Sequence, residues 1–273
     1  MEKQVATVPN WLNTGYLRLR VLVFLGFVLF RRDFQFRFKL TYFGYGWACF
    51  RPLLVGVPII FIGAQFDFAA GADLEVPYPL FAFAGLLLWQ LFWDALFLPQ
   101  WVMRRSRKLV TRVRFPYKAV LAAASFYVLF NAVFYSAMLT GALILFRTNP
   151  GSGVFYGLLS LPLIAVSGMA IGALLAPLVL VYLDLRYGLP LMSSLLVWTA
   201  PIFYVTPESG LLHAINKWNP LTYLVNTPRA WLTGGSDIDP TLFIATIAGF
   251  VALCAVSLRI YERTMRIGVD EVL

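Results

Sequence analysis

Asp94 stands in the middle of a long apolar run from Tyr78 to Val102, and Gln90 lies four residues before it. On a helix that spacing puts both side chains on one face. Ionisable groups inside apolar spans are costly, and they mark pathways, relays or paired contacts. Two readings follow. Either Gln90 and Asp94 form a polar strip lining a pathway, or Asp94 makes a helix–helix contact, satisfied by a neighbouring hydroxyl or by Arg51. Trp89, Phe92, Trp93 and Phe97 surround this pair in an i, i+3, i+4, i+8 stripe. Flat aromatic faces stack on the C–H faces of sugar rings without demanding one sugar, which suits a polymer that must slide. Core packing is the commoner origin of such a stripe.

Other chemistry is sparse. His213 is the only histidine, and the two cysteines, Cys49 and Cys254, form no CxxC. Neither a zinc site nor a disulfide framework is expected, so no metal residues are assigned. GxSxG, HExxH and GxxxxGK[ST] are all absent from the chain, which argues against catalysis and against a phosphate cradle. Energy for transport would then come from a partner or an ion gradient. One carboxylate without a second relay group is a weak basis for proton coupling. Asp67, Asp94 and His213 fall in separate segments, which disfavours a membrane enzyme acting on lipid-linked sugars.

The elements that position these residues follow from composition. The 273 residues are 60% hydrophobic and 13% charged, with mean hydropathy +0.76. An average soluble domain is about 25% charged, so this is expected to be an all-α integral membrane protein. Hydropathy gives six spans, at about 47–66, 78–102, 119–146, 154–183, 189–204 and 241–260. Of the 22 Lys and Arg residues, all but Arg147, Lys217 and Arg229 fall on one side of these spans. The positive-inside rule makes that side cytoplasmic and places both termini there. The net charge of +9 is then explained by acidic phospholipid rather than nucleic acid. Leu221–Leu232 is too short to span and is expected to be re-entrant or interfacial. Gly168 and Gly172 form a GxxxG that permits close helix approach. No inverted repeat and no broken helix pair of the ion-coupled type is evident.

The stretch 30–54 interleaves Arg31, Arg32, Arg37 and Lys39 with aromatics just before the first span. Its alternation from Phe34 to Tyr42 has the strand period. A lone strand at a membrane leaves its backbone groups unpaired, so an interfacial helix with snorkelling cations is preferred. The expected organisation is therefore residues 1–45 as a cytoplasmic tail and interfacial amphipathic helix, and 46–273 as the transmembrane domain.

Five stretches, in order, resemble the membrane subunit of ABC-2-type polysaccharide exporters, the permeases for O-antigen, capsule-like polymers and teichoic acid. They are Arg31-Arg32-Asp33 through Phe38-Lys39 to Gly44, Trp47 and Arg51-Pro52-Leu53; Val76-Pro77-Tyr78-Pro79-Leu80-Phe81 with Phe83-Ala84-Gly85-Leu86 and Trp89; and Leu109-Val110 through Val113-Arg114-Phe115-Pro116. The last two are Asp184-Leu185-Arg186-Tyr187 and Leu189-Pro190 with Pro201-Ile202-Phe203-Tyr204, and Asn219-Pro220-Leu221 with Arg229-Ala230-Trp231-Leu232. Asp94 departs from the family, where a neutral polar residue is typical.

The resemblance implies a homodimer with two ABC ATPase subunits, in a bacterial cytoplasmic (inner) membrane, exporting a lipid-linked glycan through a channel between the permeases. ATP and Mg would be bound by the partner ATPase and no cofactor by this chain. It implies ATPase contacts at Arg31, Arg32, Asp33, Arg37 and Lys39, and in the loop carrying Arg104, Arg105, Arg107, Lys108, Arg112 and Arg114. Lipid binding and topology are the alternative role of that loop. Trp89, Gln90, Phe92, Trp93, Asp94 and Phe97 would face the channel, and a re-entrant outer gate would include Asn219, Pro220, Tyr223, Arg229 and Trp231. The alternatives are an ABC-2 exporter of a lipid or drug and, further off, the membrane enzyme or an ion-coupled carrier.

Overall fold

The computed structural model describes residues 15–38, 42, 46–66, 74, 76–113, 116–148, 151–182, 184–235 and 238–271. Every regular element among them is a helix. Four helices are long and apolar enough to cross a membrane: α3 (Tyr78–Val113), α4 (Tyr117–Leu145), α5 (Gly153–Leu175) and α10 (Pro240–Glu271). The chain is a multi-pass helical membrane protein. Two shorter apolar helices accompany them, α2 (Trp47–Gln65) and α7 (Leu185–Leu196).

α3 is the axis of the bundle: 78% of its apolar window is buried, against 11% for α10. Leu80, Leu87, Leu88, Leu91 and Ala95 are fully enclosed. α5 runs parallel to α3 and meets it through the GxxxG pair. Gly168 lies on the Phe92 carbonyl and the Ala95 methyl, and Gly172 lies on the Leu96 carbonyl. A side chain at Gly168 would collide with main chain, which is why glycine stands there. α4 returns antiparallel along α3, as contacts from Trp101 to Tyr127 and from Asp94 to Asn131 require. α10 turns Ile244, Val251, Val256 and Leu258 outward, an apolar face suited to lipid. Its later turns are tied back where Tyr261 donates to the Tyr117 carbonyl at 3.0 Å and Glu262 meets Lys118 at 2.7 Å.

α1 (Gly15–Phe38) is helical through most of the alternating stretch, so the strand period yields to intrahelical hydrogen bonding. It lies along the first half of α4 and runs the same way. Gly26 sits on Ala122 and Ala123, and Phe30 and Phe34 pack on Tyr127 at 4.7 and 6.2 Å. Its other face exposes Leu19, Val23, Phe24 and Val28.

Three sequence expectations are corrected. First, Arg104–Val113 is not a loop: α3 continues through it as one 36-residue helix, about 54 Å long. Arg and Lys are good helix formers, and neither Pro nor Gly occurs from Arg104 to Phe115. Second, the fourth span is not continuous. α5 ends at Leu175, and a one-turn helix α6 (Leu178–Val181) follows Pro177. Third, the fifth span is helical only as α7, with twelve residues, and 197–204 is a series of turns. The chain therefore does contain interrupted helices.

Between α7 and α10 lie α8 (Leu211–Trp218) and α9 (Pro220–Thr233). Asn219 caps α9 by accepting from the Leu221 amide at 3.0 Å, with Pro220 in the first turn, the favoured start. Gly234 ends it in the left-handed conformation, at φ 82°, where glycine is unstrained. α9 is buried on α5 and α3 at the end of the bundle away from the basic residues. Leu232 sits on Gly157, and Trp231 packs between Tyr156 and Phe243.

Candidate functional site

A cavity of about 370 Å³ lies between α2, α3 and α7. Val55 and Ile59 come from α2, while Ser193, Ser194 and Val197 face it from α7 and the turn that follows. α3 supplies Leu86, Trp89, Gln90, Trp93, Asp94 and Phe97. The structure thus brings together five of the six residues expected to face a channel. Phe92 is the exception: it faces the opposite side and meets Phe250 edge-on at 6.2 Å. Trp89 and Trp93 lie 5.5 Å apart at 58°, and Trp93 stacks on Phe97 at 5.4 Å and 29°. The wall is a ladder of rings along one helix face.

Asp94 lines this cavity and is also clamped in a helix–helix contact. Its Oδ2 accepts from the Tyr135 hydroxyl at 2.6 Å and from Asn131 Nδ2 at 2.9 Å, both on α4. The neighbouring hydroxyl is Tyr135; the side chain of Arg51 is outside the described residues. Asn131 and Tyr135 were not singled out from sequence. Their i, i+4 spacing inside an apolar span was the available signal.

At the end away from the basic residues, side chains from three elements satisfy the non-helical backbone after α7. Unpaired carbonyls are expensive in lipid, and each one from Trp198 to Phe203 has a donor. Tyr204 donates to Trp198 at 3.4 Å, and Asn219 to Thr199 at 3.2 Å. The Ile202 amide serves Ala200 at 2.8 Å. Arg229 Nη1 serves Pro201 at 2.8 Å and Ile202 at 3.2 Å. Tyr78 serves Phe203 at 2.8 Å. Arg229 is only 3% exposed; its Nη2 also reaches Asn226 Oδ1 at 2.6 Å, and its guanidinium lies 3.6 Å over Phe81. Three of the five sequence motifs therefore converge at one place. Of the proposed gate residues, Arg229 and Asn219 take part directly. Pro220 starts α9, Tyr223 donates to the Lys217 carbonyl at 2.8 Å, and Trp231 packs on α5 and α10.

The opposite end carries the basic residues. Asp33 is buried and meets Arg32 at 2.9 Å and Arg105 at 3.5 Å. Arg105 lies 5.3 Å from the Trp101 ring. Asp33 thus joins α1 to α3 rather than facing outward. Arg31, Arg105 and Arg107 are exposed and Arg104 is half-buried. Lys39 and Arg114 lie outside the described residues, as do the side chains of Arg37, Lys108 and Arg112.

No protein-family model matches the chain. It is similar to the O-antigen export system permease protein RfbA of Klebsiella pneumoniae, with 25% identity over 262 residues, covering 92% of this chain and 94% of the relative. The match runs through the ring-lined cavity, the Arg229 cluster and the basic end alike. The chain is therefore similar, over nearly its whole length, to an O-antigen export system permease.

Proposed function

We propose that this chain is the membrane subunit of an ATP-driven exporter that moves a lipid-linked polysaccharide, an O-antigen-like glycan, across the bacterial cytoplasmic membrane. The observation that carries the reading is the aromatic ladder Trp89–Trp93–Phe97 on a cavity between α2, α3 and α7, in a chain similar over 92% of its length to an O-antigen export permease. Stacked rings hold sugar faces weakly and tolerate sliding. Ser193, Ser194, Gln90 and Asp94 add polar contacts along the same wall.

In this reading α2 and α7 complete six spans, with both termini cytoplasmic. Two copies face each other across the cavity side, and two ABC ATPase subunits bind ATP and Mg at the basic end. α1 and the extension of α3 receive the ATPase stroke, since both are rigid and joined through Asp33. The segment 197–204 with α8 and α9 closes the exit. This chain does no covalent chemistry.

The test is deletion of the gene followed by fractionation of cellular glycans. Lipid-linked polymer should accumulate on the cytoplasmic side and vanish from the surface, and restoring the chain should reverse both. Unchanged surface glycan would overturn the polysaccharide assignment and leave a lipid or drug as the cargo.

A further inference from the structure

α8 turns its polar side to the protein and its apolar side away from it. Asn216 is fully buried, and its Oδ1 accepts from the Tyr204 hydroxyl at 3.1 Å. His213 Nδ1 donates to the Pro207 carbonyl at 2.9 Å. The Lys217 carbonyl accepts from the Tyr223 hydroxyl of α9 at 2.8 Å. At about 100° per residue, Leu211, Leu212, Ala214, Ile215 and Trp218 fill one continuous arc of the helix, with no polar side chain among them. All five are exposed, Leu211 at 80% and Trp218 at 85%. A helix at the rim of a protein in water does the reverse and turns its apolar stripe inward.

Three observations say what covers this face. α8 has eight residues, so its face is about 12 Å long and about 10 Å wide. That is far short of the about 800 Å² per partner of a stable contact between copies, and too short to cross the about 30 Å of a hydrocarbon core. Secondly, α8 is tied to the end of α7, an apolar helix. The Tyr204 hydroxyl that meets Asn216 also donates to the Trp198 carbonyl at 3.4 Å, and Asn219, just past α8, donates to the Thr199 carbonyl at 3.2 Å. α7 itself exposes Leu191, Met192 and Leu195, on the side turned from the ring-lined cavity. Thirdly, the last turn pairs Trp218 with an exposed Lys217. An indole at headgroup level beside a cation within reach of phosphate is the pattern of an interfacial helix.

We propose that α8 is an interfacial anchor whose apolar face is seated in the phospholipid leaflet at the end of the bundle away from the basic residues. The inference goes beyond the export reading and does not depend on the cargo. Acyl chains cover Leu211, Leu212 and Ile215, and Trp218 lies at the level of the headgroups. Glu208, exposed in the turn before α8, offsets Lys217 in charge, so apolar contact rather than headgroup charge holds the helix down. Through Asn216 and Asn219 the leaflet then steadies the non-helical turns 197–204.

The test uses the full chain in nanodiscs of phosphatidylethanolamine and phosphatidylglycerol, with Cys49→Ser and Cys254→Ser as the background. A nitroxide is attached in turn to Leu211→Cys, Ile215→Cys and Lys217→Cys, all exposed positions where the fold should survive. Power-saturation EPR reads collisions with oxygen, which concentrates among acyl chains, and with a nickel chelate, which stays in water. Oxygen should dominate at 211 and 215, and nickel collisions should be severalfold more frequent at 217. Nickel dominating at all three positions places the face in water and overturns the anchor. Low collision rates with both reagents at 211 and 215 mean that protein covers the face, a second copy for example, and overturn it too. Adding Ile215→Asp puts a carboxylate on the seated face, and the nitroxide at Leu211→Cys should then gain nickel collisions; an unchanged reading would also overturn the anchor.

Discussion

Replacing Arg229 with Met should release the non-helical segment after α7. Met fills much of the same volume and offers no donor. The Pro201 and Ile202 carbonyls, now served at 2.8 and 3.2 Å, would be stranded in a buried place. Each stranded acceptor costs about 1–3 kcal/mol. The contact with Phe81 at 3.6 Å adds about 2 kcal/mol where it is desolvated. These terms share one side chain and do not add, so a total near 4 kcal/mol is expected. Arg229→Lys keeps the charge but cannot fork, and should lose about half of that. The assay is equilibrium unfolding of the purified protein in mixed micelles, followed by tryptophan fluorescence. Asn226→Ala completes a double-mutant cycle, because Asn226 Oδ1 accepts from the same guanidinium at 2.6 Å. A coupling above about 0.5 kcal/mol is expected for groups in contact. If Arg229→Met stays within about 1 kcal/mol of wild type, the account of the carbonyls is wrong.

Gly168→Leu should drive α3 and α5 apart, because any Cβ there meets the Phe92 main chain; overpacking of at least about 1–3 kcal/mol should appear as reduced membrane abundance, and normal abundance would count against the packing. Asp94→Asn retains an acceptor for Tyr135, so ATP-driven export measured as surface glycan should persist, whereas abolished export in a stably folded variant would favour ion coupling. Lys118→Ala removes a half-exposed ion pair with Glu262 and should change stability by less than about 1 kcal/mol; a larger loss in the same unfolding assay would refute the view that solvent screens this pair.

Hydropathy located the long helices well because four segments carry their signal in the right period and at the right length. α4 begins and ends within two residues of its expected span. The same method overextended the fourth and fifth spans. A hydropathy window cannot see that Pro177 ends a helix or that Arg229, from a distant segment, makes non-helical backbone tolerable at 201–202. It also ended α3 too early, since charge marks where lipid stops and not where the helix stops. The aromatic stripe was legible as spacing, but its split was not. Phe92 is at i+3 from Trp89 and turns to α5 and α10, while Trp93 and Phe97 continue the cavity wall. The Gly168 and Gly172 contacts, on the Phe92 and Leu96 carbonyls, show which face α3 must give to α5. The partners of Asp94 required knowing that α4 runs antiparallel at that depth.

The unbroken length of α3 has a mechanical meaning. The helix is gripped at residues 92–96 by Gly168 and Gly172 of α5, with little room to slide. Arg107 lies about 18 Å beyond Ala95 along the axis, and Trp89 about 9 Å before it, at 1.5 Å per residue. A tilt of α3 about that grip would work as a lever with unequal arms. A push at the basic end would reach Trp89 reversed in direction and roughly halved in size, while Trp93, within the grip, would stay nearly still. Fine control of the Trp89 end of the cavity would then come from a coarser movement at the other end.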